Sequence, residues 1–228
     1  MASNFMISHS PSGILLPPPT PDTDPDWASV VFAMSGNDLL DARGNNVSNV
    51  GGIVIDTTRK KYGTGSIAFP NNAAKYLQLD PMPQLRFTGD FTIEGWVYLS
   101  SQPAVQPFFA FEDNSMLIQL QSGNIVWYVN GIASGWAGNA GPTFATGAWI
   151  HLACERYQNV CRAFVNGVIS GVQPTHAENL GSTTSRFVIG RNNQPVGMHG
   201  NMADIRISLK ARYQGVPFTP PAAQFANH

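Results

Sequence analysis

The sequence predicts an all-β protein, a two-sheet antiparallel jelly-roll sandwich carrying an extended N-terminal arm. Three observations predict it. Short runs of alternating apolar and polar residues recur at regular spacing, and no segment sustains the i, i+3, i+4, i+7 pattern of a helix. The 22 glycines and 17 prolines gather at the joints between those runs. The length, 228 residues, suits one all-β domain better than two.

Residues 1–26 stand apart. The stretch SPSGILLPPPTPDTDPD is rich in Pro and Asp and has no periodicity, so it reads as an extended arm or linker. A floppy tail is the competing reading. Phe5, Ile14, Leu15 and Leu16 give the arm apolar area to lay on a neighbouring chain. Residues 27–228 are then the sandwich domain.

The first strands are WASVVFA (27–33), GGIVIDTT (51–58), GSIAF (65–69) and KYLQL (75–79). DFTIEGWVYL (90–99) gives the strongest signal. Phe91, Ile93, Gly95, Val97 and Leu99 face one way, and Thr92, Glu94, Trp96 and Tyr98 the other. PFFAFE (107–112), MLIQLQ (116–121) and NIVWYVN (124–130) follow, the last two joined by a tight SGN turn. WIHLACERY (149–157) and VCRAFVNGVISG (160–171) form a second hairpin around Gln158 and Asn159. RFVIG (186–190) and NMADIRIS (201–208) complete the set.

The chain then reads ARYQGVPFTPP. Pro217, Pro220 and Pro221 lack an N–H and fix φ, so neither a helix nor an inner strand can form there. An extended strap remains, with Tyr213, Phe218 and Phe225 to anchor it on this domain or on a neighbouring subunit.

Composition narrows the function. Charged residues make up 12% of the chain, about half the usual share of roughly 25%. The formal net charge is −1 and the densest basic run is Arg59, Lys60 and Lys61. A nucleic-acid partner needs basic residues clustered on one face, so none is expected. No run approaches the ~20 apolar residues of a membrane span. Residues 1–19 have no basic start, and the apolar run Ile14–Leu16 ends at three prolines, which is unlike a secretory signal. Synthesis in the cytosol is the resulting expectation.

In order, YGTGSIAF, LRFTGDFTIEGWVYL, GAWIHLACERY, CRAFVNGVISG, FVIGR, GNMADIRIS and ARYQGVPFTPP resemble the concanavalin A-like lectin/glucanase sandwich. More narrowly, they resemble the laminin-G-like domains of bacteriophage virion proteins. The resemblance covers about residues 27–226 and is most specific in the ARY–FTPP ending. It implies that this ending closes the sandwich by strapping across its edge. Two departures stand out. Gly95 replaces a large residue, leaving a gap for a neighbouring side chain, and Asn201–Met202 replace an aromatic-acidic start.

Catalytic patterns are lacking. Glycoside hydrolysis needs two carboxylates roughly 5–9 Å apart, and the nearest acidic run, PDTDPD, lies in the arm. Glu94 and Glu155 stand singly in strands, each expected to bond an Arg or Lys. GTGSIA enters a strand rather than a helix, so it is no dinucleotide loop. The five histidines are scattered, and no metal or other cofactor is expected. Cys154 and Cys161 sit on adjacent strands, opposite or diagonal. A disulfide requires Cα atoms within ~7 Å, and free buried thiols are favoured in a cytosolic product.

Aromatic residues are the candidates for binding. Trp96, Trp127 and Trp149 lie in strand patterns and are read as core. Trp136, beside Asn139 in the loop GIASGWAGNAGP, has only small neighbours and is read as a ligand or partner contact. A second loop, RNNQPVGMHG, offers Asn192, Asn193 and His199, and the two loops are expected to converge at one rim.

The resemblance and the arm together imply a non-enzymatic structural protein of a bacteriophage virion. Capsid decoration or a fibre or tail component, docked by its arm to other virion proteins and to copies of itself, fits best. A carbohydrate-binding module for host-surface polysaccharide is the alternative, and a glycan hydrolase the remote one.

Overall fold

The computed structural model describes residues 23–102, 104–129, 144–194 and 196–226, with the backbone alone at 136 and 137. The early strands are β1 Val30–Met34, β2 Val47–Val50, β3 Val54–Asp56, β4 Ser66–Pro70, β5 Tyr76–Leu79 and β6 Arg86–Phe87. The middle strands are β7 Phe91–Leu99, β8 Val105–Phe111, β9 Met116–Gln121, β10 Asn124–Val129 and β11 Trp136–Ala137. The late strands are β12 Trp149–Tyr157, β13 Val160–Val165, β14 Val168–Ser170, β15 Leu180–Gly181, β16 Phe187–Ile189 and β17 His199–Ser208.

One sheet has the order β14-β13-β12-β7-β17-β4-β3, with β1 also paired to β17. The other has the order β11-β10-β9-β8-β16-β5-β2, and β6 pairs with β15 alone. Both large sheets are antiparallel, as the sequence predicts. The inward face of β7 carries Phe91, Ile93, Val97 and Leu99, all at most 1% exposed. Trp127 packs edge-on against Phe91 at 5.6 Å, and Phe87 stacks on Phe91 at 4.0 Å. Burial of such side chains, worth roughly 1.5–3 kcal/mol each, is what holds the sheets together.

Turn chemistry fixes the registers. Ser122–Gly123, Gln158–Asn159 and Asn166–Gly167 all have positive φ, and each closes a two-residue hairpin. Such turns twist in the same sense as the strands they join. The third turn splits VCRAFVNGVISG, read as one strand, into β13 and β14. Gly51 and Gly52, also at positive φ, begin the segment read as a strand over 51–58, and only Val54–Asp56 pairs.

In β17, Asp204 has φ +48 and forms a bulge between Ala203 and Arg206. The strand pairs with β4 before the bulge and with β1 after it. Gly95 lies across from the bulge: a Cβ there would sit 3.4 Å from the Asp204 carbonyl and from the Ile205 Cα. Backbone, not a neighbouring side chain, occupies the space expected to be empty at Gly95.

Two tryptophans differ from expectation. Trp127 is core, but Trp96 and Trp149 belong to the outer face of the eight-stranded sheet, where residues alternate with the inward set. Trp96 is 5% exposed because Tyr62 and the Lys61 ammonium cover it. Trp149 is half-buried against Tyr98.

The strap lies across that same outer face, not along an edge. Tyr213 stacks flat on Phe218 at 3.4 Å, and Phe218 packs on Phe164 at 5.4 Å and on the His151 ring at 5.6 Å. The Phe218 N–H donates to the Gly167 carbonyl at 3.0 Å, and the Tyr62 hydroxyl to the Pro221 carbonyl at 2.6 Å. The strap's anchor is therefore its own domain. A Cβ at Gly167 would lie 1.8 Å from the Phe218 carbonyl oxygen. Gly44 shares a positive φ but has no neighbour within 4 Å of its Cβ position. Gly44→Ala should thus cost only the left-handed backbone penalty, ~1–2 kcal/mol. Gly167→Ala should cost at least ~1 kcal/mol more, because the strap must lift and lose aromatic contact. Equal losses in urea unfolding would refute that difference.

Candidate functional site

Among the described residues, no strap crosses the outer face of the seven-stranded sheet. One row of registered residues crosses it, from Ser48 through Gln78, Val188, Ala110, Leu117 and Tyr128 to Trp136. Val188, Ala110, Leu117 and Tyr76 form a second apolar cluster there, with Val50 and Tyr128 packed against it. The strand period of two puts these residues opposite the core.

The turn after β16 folds over this row. Arg191 stacks on the Tyr76 ring at 4.3 Å and reaches Glu112 at 3.6 Å. Asn192, 2% exposed, donates from Nδ2 to Gln119 Oε1 at 2.9 Å, while its Oδ1 accepts the Gln194 N–H at 3.1 Å. Gln119 Nε2 donates to Gln121 Oε1 at 3.2 Å. These bonds hold a groove of about 290 Å³ between the turn and the ends of β9 and β10.

Asn114, Gln119, Gln121, Asn192, Asn193 and Gln194 line it, with Tyr128, Leu117 and Val105 as its apolar part. Among the described residues no charged side chain lines it. Each amide offers two donors and an acceptor, and the network just given leaves part of that capacity open. The Asn114 Oδ1 is buried without a hydrogen-bond partner. The groove can therefore hold an uncharged ligand rich in hydroxyl groups, with an apolar side for one of its faces.

The residues singled out from sequence fall in three places. Asn192 and Asn193 line the groove, Asn192 as its brace and Asn193 exposed. The Trp136 backbone pairs with Tyr128, so its strand borders the same groove. His199 does not join them: its Nδ1 shares a hydrogen bond with the Ser101 hydroxyl at 2.7 Å, and it lines a cleft on the other sheet. Asn139 and the arm residues Phe5, Ile14, Leu15 and Leu16 lie outside the described residues. Gln119, Gln121 and Tyr128 were not foreseen as site residues. The one signal for them was the polar alternation in MLIQLQ and the exposed half of NIVWYVN.

A family model described as the concanavalin A-like lectin/glucanases superfamily, Laminin_G_3, matches residues 70–214. The chain belongs to this family. No curated protein matches the sequence. Among solved structures, domain 4 of a GH43 extracellular arabinanase from Geobacillus stearothermophilus, in complex with arabinotriose, is similar. Its TM-score is 0.64 at 20% identity, over 80% of this chain and 93% of that one. The binding domain of Paraclostridial Mosquitocidal Protein 1 gives 0.61 at 15% identity, over 82% of this chain and 50% of that one. The receptor binding domain of botulinum neurotoxin D gives 0.59 at 11% identity, over 81% of this chain and 50% of that one. The laminin-G-like chain thus spans half the length of these toxin domains, and at such identities the likeness is one of fold.

On the other sheet this laminin-G-like domain buries a polar cluster. Glu94, fully buried, accepts from Arg206 Nη2 at 2.7 Å and Nε at 2.9 Å and from the Tyr213 hydroxyl. His151 Nε2 lies 3.4 Å from it. Burial alone would raise the Glu94 pKa, yet the Arg206 charge, with His151 and Tyr213, holds it well below the usual range. Glu155 is bonded not to an Arg or Lys but to the strap, accepting the Tyr213 and Gly215 N–H groups at 2.7 and 2.8 Å. Strap and bulge close this cluster to solvent, so no substrate atom reaches Glu94. Cys154 and Cys161 are free, buried and diagonal, two positions apart in the register. Among the described residues no three His, Cys, Asp or Glu side chains gather as a metal site.

Asp204 is the strained member. It is 2% exposed, and its Oδ2 has no hydrogen-bond partner. Burial pushes its carboxyl up to about 7, against the Phe225 N–H and the Arg206 charge and with help from Glu94. The folded protein therefore keeps a proton that the unfolded chain has lost, and this group's contribution to stability falls as pH rises from about 4 to about 7. Asp204→Asn, which mimics the protonated form, should raise Tm by ~5 °C at pH 8 and by much less at pH 4.5. A Tm gain independent of pH would contradict this reading.

Proposed function

We propose that this chain is a non-catalytic glycan-binding module whose amide-lined groove holds an uncharged oligosaccharide. One observation carries the reading: six amide side chains and Tyr128 converge on one groove with no charged group among them. Amides bond hydroxyls of either polarity, and Tyr128 with Leu117 gives a sugar ring an apolar surface. The arabinanase domain of the same fold, in complex with arabinotriose, supports it. Hydrolysis would need two carboxylates beside the bond, and the groove lining supplies none. Asn193 and Gln121 are exposed and do not support the core. Asn193→Ala and Gln121→Ala should each weaken arabinotriose or a comparable neutral oligosaccharide ~3- to 10-fold in calorimetry, with Tm unchanged. Binding of no neutral oligosaccharide, or wild-type affinity in both variants, would overturn the proposal.

A second reading keeps the module on a bacteriophage particle, as decoration, fibre or tail component, docked by residues 1–26. The ARY–FTPP ending and one structural observation favour it. Asp24 bonds Arg206 Nη1 at 2.9 Å and Arg212 Nη2 at 2.7 Å, and Lys210 reaches Asp26 at 2.5 Å. The root of the arm is thereby riveted to the sheet, as a load-bearing tether requires. Deleting residues 1–22 should leave Tm within ~2 °C of the full chain while lowering occupancy on particles. Deleting residues 1–26 removes Asp24, takes one carboxylate partner from each of the Arg206 and Arg212 guanidinium groups and should cost several degrees more. Wild-type occupancy by the shorter deletion would refute the docking role.

A further inference from the structure

The basic run Arg59–Lys61, inert in the sequence reading, is organised by the fold. Arg59 lies over the Tyr98 ring at 4.4 Å, and Lys61 lies over the Trp96 ring at 3.7 Å. Arg59 is held in place as well as stacked. Its Nη1 donates to Asn201 Oδ1 at 2.9 Å and to the Ser100 hydroxyl at 3.3 Å. Asn201, 1% exposed, is itself fixed through Nδ2 to the Ser66 hydroxyl at 2.9 Å. Asn201 replaces a residue of the usual aromatic-acidic start, and here it serves as the brace of an arginine.

Beside this arginine is a cleft of about 230 Å³ that Lys75, His199, Ser100 and Gly200 also line. Among the described residues no carboxylate comes within ion-pair distance of Arg59 or Lys75. One acid, Asp56, shares the cleft. Its oxygens accept the Thr58 hydroxyl at 2.6 Å, the Thr58 and Arg59 N–H groups, and Asn201 Nδ2 at 3.3 Å. The Thr58 hydroxyl above all holds its pKa at about 2. That carboxylate is spent on the local turn. Two cations, one preset by a buried amide, therefore face a cavity with donors to spare.

We propose that this cleft is a second binding site, on the opposite sheet from the amide groove, for the carboxylate or sulfate of an acidic saccharide. The fork of an arginine fixed through Nη1 still presents Nε and Nη2 to an oxyanion, and the Lys75 ammonium supplies a second charge without a fixed direction. The half-buried Tyr98 ring lies under the arginine at 4.4 Å and helps to fix its plane. The choice of a saccharide rests on the glycan-binding reading; the choice of an anion rests on this cleft alone.

The test titrates the full chain with oligogalacturonate, with a sulfated heparin tetrasaccharide and with neutral arabinotriose. Variants are Lys75→Gln, Arg59→Gln and the double substitution, with Lys60→Gln as an exposed basic control. Lys75 makes no hydrogen bond through its ammonium, so Lys75→Gln stays informative if Arg59→Gln disturbs the sheet. At least one acidic probe should bind, more weakly as salt rises, and lose ~5-fold in Lys75→Gln and at least ~10-fold in the double variant. Lys60→Gln should change little, and arabinotriose should bind every variant alike. Which acidic probe binds decides between carboxylate and sulfate. Binding of neither, or equal losses in Lys60→Gln, overturns the site. Failure of arabinotriose and of every other neutral oligosaccharide overturns the amide groove and leaves this site standing.

Discussion

Arg206 is a cation to which three separate parts of the chain are tied. Its guanidinium takes Glu94 of the central strand β7 through two nitrogens and Asp24 of the arm root through the third. Phe225 of the strap lies over its plane at 3.7 Å. Each group alone would be a liability. A buried carboxylate without its partner costs several kcal/mol, and so does a buried guanidinium. Together they satisfy one another, and the arm root and the strap are held on the same face as a result. Tyr213 extends the arrangement by donating to Glu94 while stacking on Phe218, so the strap's polar and apolar anchors act at one place.

The bulge at Asp204 makes this geometry possible. An uninterrupted β17 would carry β4 and β1 along one straight edge, and inward and outward residues would keep strict alternation. The extra residue shifts that alternation, so that Ile205 and Ile207 enter the core while Arg206 points out beside Glu94. Gly95 lies across from the bulge, where a Cβ would already be in van der Waals contact with the Asp204–Ile205 backbone. The buried, half-satisfied Asp204 carboxyl is the cost of this shift. It is a local strain that the surrounding pairs outweigh.

The sheets were legible in the sequence because strand alternation is a local signal. DFTIEGWVYL and WIHLACERY became β7 and β12 almost residue for residue. Two-residue turns were legible where polar residues separated two apolar runs, as at Ser122–Gly123. Asn166–Gly167 was missed because apolar Val165 and Val168 run the strands together, although Asn-Gly is the stronger turn signal. The outer-face tryptophans were misassigned for a different reason. Alternation says which residues share a face but not whether a strap, sixty or more positions away, will cover that face. The binding groove was half legible: Asn192 and Asn193 stand out in a loop, whereas Gln119, Gln121 and Tyr128 join them only through the order of strands in space.

The two outer faces divide the work by the same physics. The eight-stranded sheet carries charged and aromatic side chains outward, and these can be buried only in mutually satisfied groups; the strap covers them where the groups close. Beside the strap, Arg59 and Lys75 have no acid partner among the described residues and line a cleft. The seven-stranded sheet carries amide side chains outward beside the apolar cluster of Tyr76, Ala110, Leu117 and Val188, and neither kind needs a charged partner. Val188 and Ala110 leave room for the 191–197 turn to lie close, and the amides tolerate water or a ligand equally well. A face of this kind costs little when empty and can gain hydrogen bonds when occupied, which is what weak, reversible recognition of an uncharged polyol requires. The proposed neutral-ligand groove thus falls on the sheet that the described strap leaves uncovered, and the proposed anion cleft falls on the charged face beyond the strap's reach.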